Sequence, residues 1–260
     1  MATTLSRNPI ELRAPFRWSE EHLAIELPGA RALFTTRRGG VSRGAFTTLN
    51  LGRLTADEPE AVSRNRAIVQ SRAGGRLAMI RQVHGAHVVR IRRPDQVSGP
   101  EPKCDPEEAD GQVTALSGVA PIVLTADCLP IVLAGDGAVA MLHAGWRGLA
   151  QGIIGAGVRG LEELGTGARA LVAAIGPGAG ACCYEVGEEV HEQFASHGEQ
   201  ARRGQNLDMK AIARVQLAAA GVRTVHDVGL CTICSPPELF FSHRRDRGVT
   251  GRQAGLVWLT

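Results

Sequence analysis

Six short apolar runs constrain this chain more than any other feature. They lie at residues 32–35, 88–91, 121–124, 130–134, 139–142 and 170–175. Most are continuous rather than alternating, which predicts strands buried on both faces. Between them the pattern predicts helices at 58–71, 147–164, 187–196 and 208–220. The first should start with Asp57 as N-cap and Pro59 in its first turn. The second carries Gly148, Gly152, Gly155, Gly157 and Gly160, and each interior glycine costs roughly 1 kcal/mol relative to Ala. Such a helix should lie close against another backbone or be partly irregular. Alternating strands and helices give a mixed class, α/β or α+β.

Composition removes several function classes. With 260 residues, 44% of them apolar, the chain is long enough for one sizeable core and is not disordered. A net charge of +3 is too small to argue for nucleic acid, and 4% aromatics leave few platforms for stacking bases. No apolar run is long enough to span a membrane, and residues 1–18 show no signal-like apolar segment, so a cytoplasmic protein is expected. Six cysteines are too sparse for a disulfide scaffold. Residues 94–108 are rich in proline and acidic side chains and read as an exposed excursion rather than a domain boundary.

Three segments each end in a soft metal donor: 79–84 in His84, 122–128 in Cys128 and 139–143 in His143. A His, Cys, His set suits zinc and leaves a fourth position open, as catalytic sites do. The gaps of 44 and 15 residues belong to no local metal motif. Spacing alone therefore favours two satisfied histidines and a packed thiol. His87, three residues on, is a competing donor. Asp127, beside Cys128, reads equally as a base, as an orienter of a ligand and as a turn cap. Arg37 and Arg38 precede two glycines, and Arg147 opens a helix, so each suits an anion as well as a solvated surface. His243, Arg244 and Arg245 read by themselves as a basic turn. Cys231 and Cys234 form a CxxC with no second CxxC, and Cys182 and Cys183 lie too far off in sequence to be assigned to it. Structural thiols are the expectation there.

Together these segments resemble one family. Arg37-Arg38-Gly39-Gly40-Val41-Ser42 and Leu49-Asn50-Leu51-Gly52 come first. Gln82-Val83-His84, Ala109-Asp110-Gly111, Thr125-Ala126-Asp127-Cys128 and His143-Ala144-Gly145-Trp146-Arg147 follow. Ile175-Gly176-Pro177, Tyr184-Glu185-Val186-Gly187 and Phe240-Phe241-Ser242-His243-Arg244-Arg245 complete the set. The chain is similar to the YfiH-like family, also called the laccase-domain or polyphenol oxidase family. The likeness spans about residues 30–258 and leaves 1–29 as an N-terminal extension of one domain covering 1–260.

The resemblance implies mixed β-sheets sandwiched by helices and one zinc ion held by His84, Cys128 and His143. It also implies phosphorolysis of adenosine, inosine, guanosine and methylthioadenosine, with adenosine deamination beside it. On that reading the substrates are small molecules: a purine nucleoside and phosphate. Zinc at such a site activates water, which suits deamination, with Asp127 as the candidate base. Arg38, Asn50, Arg147 and Arg245 are the candidates to hold substrate or phosphate. One departure is visible: residues 178–181 read Gly-Ala-Gly-Ala, which predicts a looser loop. Two rival chemistries remain open. A copper polyphenol oxidase would want about ten histidines in His-x-His pairs (a family property), whereas this chain has eight histidines and no such pair. A single Cu2+ would still fit the same donors. A zinc amidase acting on cell-wall precursors would use the same open site, and a non-enzymatic interaction module would use none of it.

Overall fold

The computed structural model describes residues 10–97, 99–101 and 106–260. Its strands in chain order begin with β1 Arg17–Ser19, β2 His22–Leu27, β3 Ala30–Phe34, β4 Arg76–Ala78 and β5 Val88–Ile91. Then come β6 Gly111–Thr114, β7 Val119–Thr125, β8 Leu129–Gly135, β9 Ala138–Ala144 and β10 Val172–Ile175. The last are β11 Arg202–Arg203, β12 Asn206–Leu207, β13 Thr224–Asp227 and β14 Gln253–Leu259. The helices are α1 Pro59–Arg72, α2 Trp146–Ala150, α3 Ile153–Glu162, α4 Glu188–Glu192 and α5 Met209–Ala219.

Two six-stranded sheets stack face to face, ordered β1-β2-β3-β14-β7-β4 and β13-β10-β8-β9-β6-β5. Both are mixed: β4–β7, β5–β6 and β10–β13 run parallel and the other pairs antiparallel. The two-residue alternation of a strand sorts the apolar side chains into layers. In β9, Val139 and Met141 pack between the sheets, while Ala138, Ala140 and Leu142 face α3 and α5 on the other side. In β14, Val257 lies between the sheets, and Ala254, Leu256 and Trp258 face α1. The order is thus α1, sheet, sheet, α3 with α5. Because both faces of these strands are covered, the apolar runs are continuous, and the expected sandwich of mixed sheets between helices is what forms.

Several expectations need correcting. The segment Met79–His84, whose apolar residues read as strand-like before His84, is not a strand; β4 ends at Ala78 and His84 sits in a loop. Residues 17–27 form β1 and β2, so part of the supposed extension is the edge of the first sheet; residues 1–9 lie outside the described residues. Asp57 does not cap α1. Glu58 occupies that place without a side-chain bond, because the Asp57 carboxylate accepts from Ser42 Oγ (2.6 Å) and Asn50 Nδ2 (2.9 Å) instead. The helix expected over 147–164 is broken at Gly152, whose φ of +85° favours glycine. Its glycines have the predicted use: a Cβ on Gly148 would lie 2.9 Å from the Gly85 carbonyl, and one on Gly157 2.7 Å from Leu142. Asp208 does cap α5, accepting from Ala211 N at 2.9 Å. Within the expected loop at 94–108, residues 98 and 102–105 lie outside the described residues, while Val97 is buried and Glu108 bridges to Arg81. The loop at 178–181 is not loose. Ala179 is fully buried and donates to the Asp127 carbonyl (2.7 Å), and Gly178 accepts from Thr232 N (3.1 Å).

Candidate metal centre and cleft

The chain passes from the first sheet to the second between β7 and β8, and Cys128 sits at that crossing, next to the start of β8. His143 lies near the end of β9, opposite Pro130 of β8. It shares the parity of Val139 and Met141 and so points between the sheets. His84 reaches the same place from the loop after β4. The His84, Cys128 and His143 donor atoms all lie within 4.8 Å of one another. The two imidazoles meet edge to face, with centroids 4.9 Å apart. A Cβ on Gly145 would stand 2.8 Å from Cys128 Sγ, so only glycine leaves the thiol its place.

Asp110, which stands in one of the sequence motifs but was given no role there, holds this group together. It precedes β6, the neighbour of β9, and is fully buried. Its Oδ1 accepts from His143 Nδ1 (2.7 Å) and His84 N (2.9 Å), and its Oδ2 from Gly85 N (2.6 Å) and Val83 N (3.2 Å). His84 has a φ of +61°, an unusual conformation for a residue with a side chain, and three consecutive amides closing on one carboxylate hold it there. With Nδ1–H of His143 given to Asp110, Nε2 is left for the cleft. Burial pushes the Asp110 carboxyl upward, but the bonds from His143 and from the Gly85 and Val83 amides outweigh it, and the net shift is down. Burial likewise opposes ionisation of Cys128, yet His143 and then His84 pull the thiol down to about 6. Burial opposes charge on His143 too, but the Cys128 thiolate and Asp110 raise it to about 9. Without metal, the pair is a thiolate facing an imidazolium.

Asp127 is placed differently from a free base. Its φ is +101°, and it is buried. Oδ1 accepts from Thr232 Oγ1 (2.6 Å) and Oδ2 from Arg244 N (2.8 Å). These bonds brace the crossing and tie it to the loop before β14, a long-range role that the sequence did not suggest.

The donors face a cleft of about 730 Å³. Arg147 and Arg244 line it, each guanidinium lying over an aromatic ring, Trp146 at 4.4 Å and Tyr184 at 5.1 Å. Arg252 joins them, half-buried, held by the carbonyls of Thr250 (3.1 Å) and Gly251 (2.9 Å). Of the residues expected to hold phosphate, the structure brings only Arg147 to the cleft. Arg245 turns away and is consumed by Asp246 and the carbonyls of Thr232 (2.9 Å) and Phe240 (2.7 Å). Arg38 donates to the Glu238 carbonyl (3.3 Å). Asn50 is fully buried; its oxygen accepts from Gly52 N and Arg252 N, and its amide donates to Thr55 and Asp57. It therefore positions Arg252 instead of touching a ligand. His87 pairs with exposed Glu107 and lies outside the donor group. The missed pair, Arg244 and Arg252, had one sequence signal, the basic turn 243–245, without a sign of which arginine faces inward.

The comparisons agree with this architecture. The family described as multi-copper polyphenol oxidoreductase laccase matches residues 31–260. A purine nucleoside phosphorylase of Pseudomonas aeruginosa is 40% identical over 243 residues, covering 88% of this chain and 93% of that protein. One from Streptomyces coelicolor is 39% identical, covering 89% and 96%. The crystal structure of Bacillus licheniformis YfiH superposes with a TM-score of 0.88 at 30% identity, covering 95% of this chain and 100% of that one. That of Geobacillus stearothermophilus YlmD gives 0.87 at 33%, covering 94% and 98%. With nearly the whole chain matched in sequence and in fold, this protein belongs to the laccase-domain family of YfiH-like proteins.

Proposed function

We propose that this chain is a zinc-dependent purine nucleoside phosphorylase acting on adenosine, inosine, guanosine and methylthioadenosine, with adenosine deaminase activity at the same site. The observation that carries the reading is the juxtaposition of an N, S, N donor set with Arg147, Arg244 and Arg252, three of the six arginines that line the same cleft. The name shared by relatives at about 40% identity supports it. We place the protein in the cytoplasm, as one domain over 1–260. None of the described helices is long and apolar enough to cross a membrane.

His84, Cys128 and His143 fit zinc by donor type, and the buried carboxylate behind His143 is the partner that ligating histidines usually have. When bound there, zinc supplies Lewis acidity to an oxygen of substrate or water. The protein's own groups do the rest. Arg147, Arg244 and Arg252 hold phosphate, their planar forks matching its oxygens. Trp146 and Tyr184 give the purine an apolar face on which to stack. Together they set the phosphate against the ribose C1′ while the purine departs. Cys128, committed to the metal, is not a free nucleophile.

Adenosine incubated with and without phosphate tests the reading. Adenine and ribose 1-phosphate formed only with phosphate establish phosphorolysis, and inosine formed without phosphate establishes deamination. Neither product contradicts both and points to amide hydrolysis.

The arginines make a sharper expectation. Arg244→Ala should raise the KM for phosphate by about 10–100-fold, the equivalent of one charge-assisted hydrogen bond. Arg245→Ala should leave that KM near wild type and lower Tm, because it orphans the Thr232 and Phe240 carbonyls. Steady-state kinetics and thermal unfolding separate the two.

Zinc affinity should depend on pH with a stated sign. In the metal-free protein Cys128 has lost its proton above about 6, and His143 keeps its own until about 9. Zinc must displace that imidazolium proton, so affinity at the cleft should rise about tenfold per pH unit between those limits. Calorimetry in buffers of different ionisation enthalpy should show about one proton released per zinc at this centre. The count is obtained as the difference between wild type and Cys128→Ser.

A copper-loaded centre is the second reading, favoured by the family's description and by the stronger binding of copper to N and S donors. Phenol oxidation lost on chelation and not restored by zinc, with no nucleoside turnover, would support it.

A further inference from the structure

Four thiols that the sequence leaves as two unrelated pairs come together in space. Cys182, Cys183, Cys231 and Cys234 have sulfur atoms all within 4.8 Å of one another, and all four are free. The topology explains the meeting. Strands β10 and β13 are parallel neighbours, with Val172 opposite Thr224. The segments that leave them therefore start side by side, and Gly178 bridges to Cys231. Cys182 and Cys234 keep the 52-residue offset of the strands before them.

The arrangement is that of a mononuclear thiolate site. A tetrahedral ion with metal–sulfur bonds of about 2.3 Å separates its sulfurs by about 3.8 Å. Here Cys182 Sγ lies 3.5 Å from both Cys234 Sγ and Cys183 Sγ. Cys231, the buried member, accepts from Gly180 N (3.2 Å) and from the amides of Ile233 and Cys234 within its own CxxC turn. Amides aimed at a sulfur favour its thiolate form, the form a metal needs. A Cβ on Gly180 would stand 3.2 Å from Cys182 Sγ and from Cys231 Cβ, so the glycine leaves the group its room.

We infer that Cys182, Cys183, Cys231 and Cys234 form a second metal site, a closed tetrathiolate site for one zinc-class divalent cation. Binding converts four thiols to thiolates and releases their protons to solvent; no oxidant or reductant takes part. All four positions are filled by protein, as in structural zinc sites, so no place remains for water or substrate. The site staples the segment leading to Tyr184 to the segment carrying Thr232, whose hydroxyl holds Asp127 beside Cys128. The first segment brings Tyr184 to the cleft and the second holds the lining residue Asp127 through Thr232, so the staple braces that wall from outside. The inference does not depend on the proposed activity, because its readouts are metal count and spectrum.

The test is metal analysis of reduced, zinc-reloaded protein, with Cys234→Ser as the variant, since that thiol is exposed. Wild type should hold two zinc equivalents and Cys234→Ser one, while Cys128→Ser loses the other. Cobalt(II) loaded in place of zinc gives a reading that needs no variant. Wild type should show the intense sulfur-to-cobalt charge-transfer absorption of a four-thiolate tetrahedral ion, beyond what one thiolate provides. Two outcomes would overturn the inference. One is a single zinc equivalent in wild type with four thiols still titratable. The other is a single equivalent with disulfides among these cysteines that re-form after reduction in the presence of zinc.

Discussion

Cys128→Ser is expected to remove one metal equivalent and to cut phosphorolysis by more than about 100-fold. The size follows from what the thiolate does. It is the anionic donor of the three, and replacing thiolate by a neutral hydroxyl removes both a soft ligand and the negative charge facing His143. Changes to residues one contact removed from a metal already cost about 10–100-fold, so loss of a ligand itself should cost more. The fold should survive, since Ser is close in size and the thiol lies at the cleft rather than in a sheet core. Metal analysis and the rate with adenosine and phosphate check this together. Full metal content in the variant would remove Cys128 from the ligand set, and an unchanged rate would remove the metal from the reaction.

Asp110→Asn is the second large effect, and it should appear in stability as well as activity. The carboxylate serves four donors at once: the His143 ring and the amides of Val83, His84 and Gly85. An asparagine keeps one oxygen and turns an NH2 toward donors, leaving buried N–H groups unpaired. Breaking a buried charged network by altering one member typically costs about 3–5 kcal/mol. Without the clamp, His84 at φ +61° loses the bonds that hold it, and His143 loses the partner that fixes its tautomer. Zinc affinity should fall by about 10–100-fold even where the variant folds. Chemical denaturation of the metal-free protein and competition with a chelator measure the two parts separately. Wild-type affinity in a stable variant would show that the imidazole needs no such orientation.

The fold and the site were legible in the sequence to different degrees, for physical reasons. Strands buried on both faces announce themselves as continuous apolar runs, so β7, β8 and β9 were read to within a few residues. Strand β6, Gly-Gln-Val-Thr, was not, because its polar Gln112 is buried and satisfied by the carbonyls of Ala78 and Ile122 across the two sheets. The three cleft donors were visible as residue types, yet their spacing carried no signal. They come from three segments brought together only when the sheets stack. Asp110 was visible as part of a motif but received no role, since its work is done mostly on backbone amides, which leave no pattern of side chains. Arg244 and Arg245 are adjacent in sequence, and only the turn itself decides which faces the cleft. The thiol group was missed for a similar reason: β10 and β13 pair in parallel across about fifty residues of intervening chain.

The most direct test of the account is a crystal structure of the zinc-loaded protein with phosphate and a non-cleavable adenosine analogue, with zinc located by its anomalous scattering. The account predicts zinc among His84, Cys128 and His143. It predicts phosphate against Arg147, Arg244 and Arg252, with the purine beside Trp146 or Tyr184. Zinc absent from that centre, or phosphate held instead by Arg38 and Arg245, would contradict it.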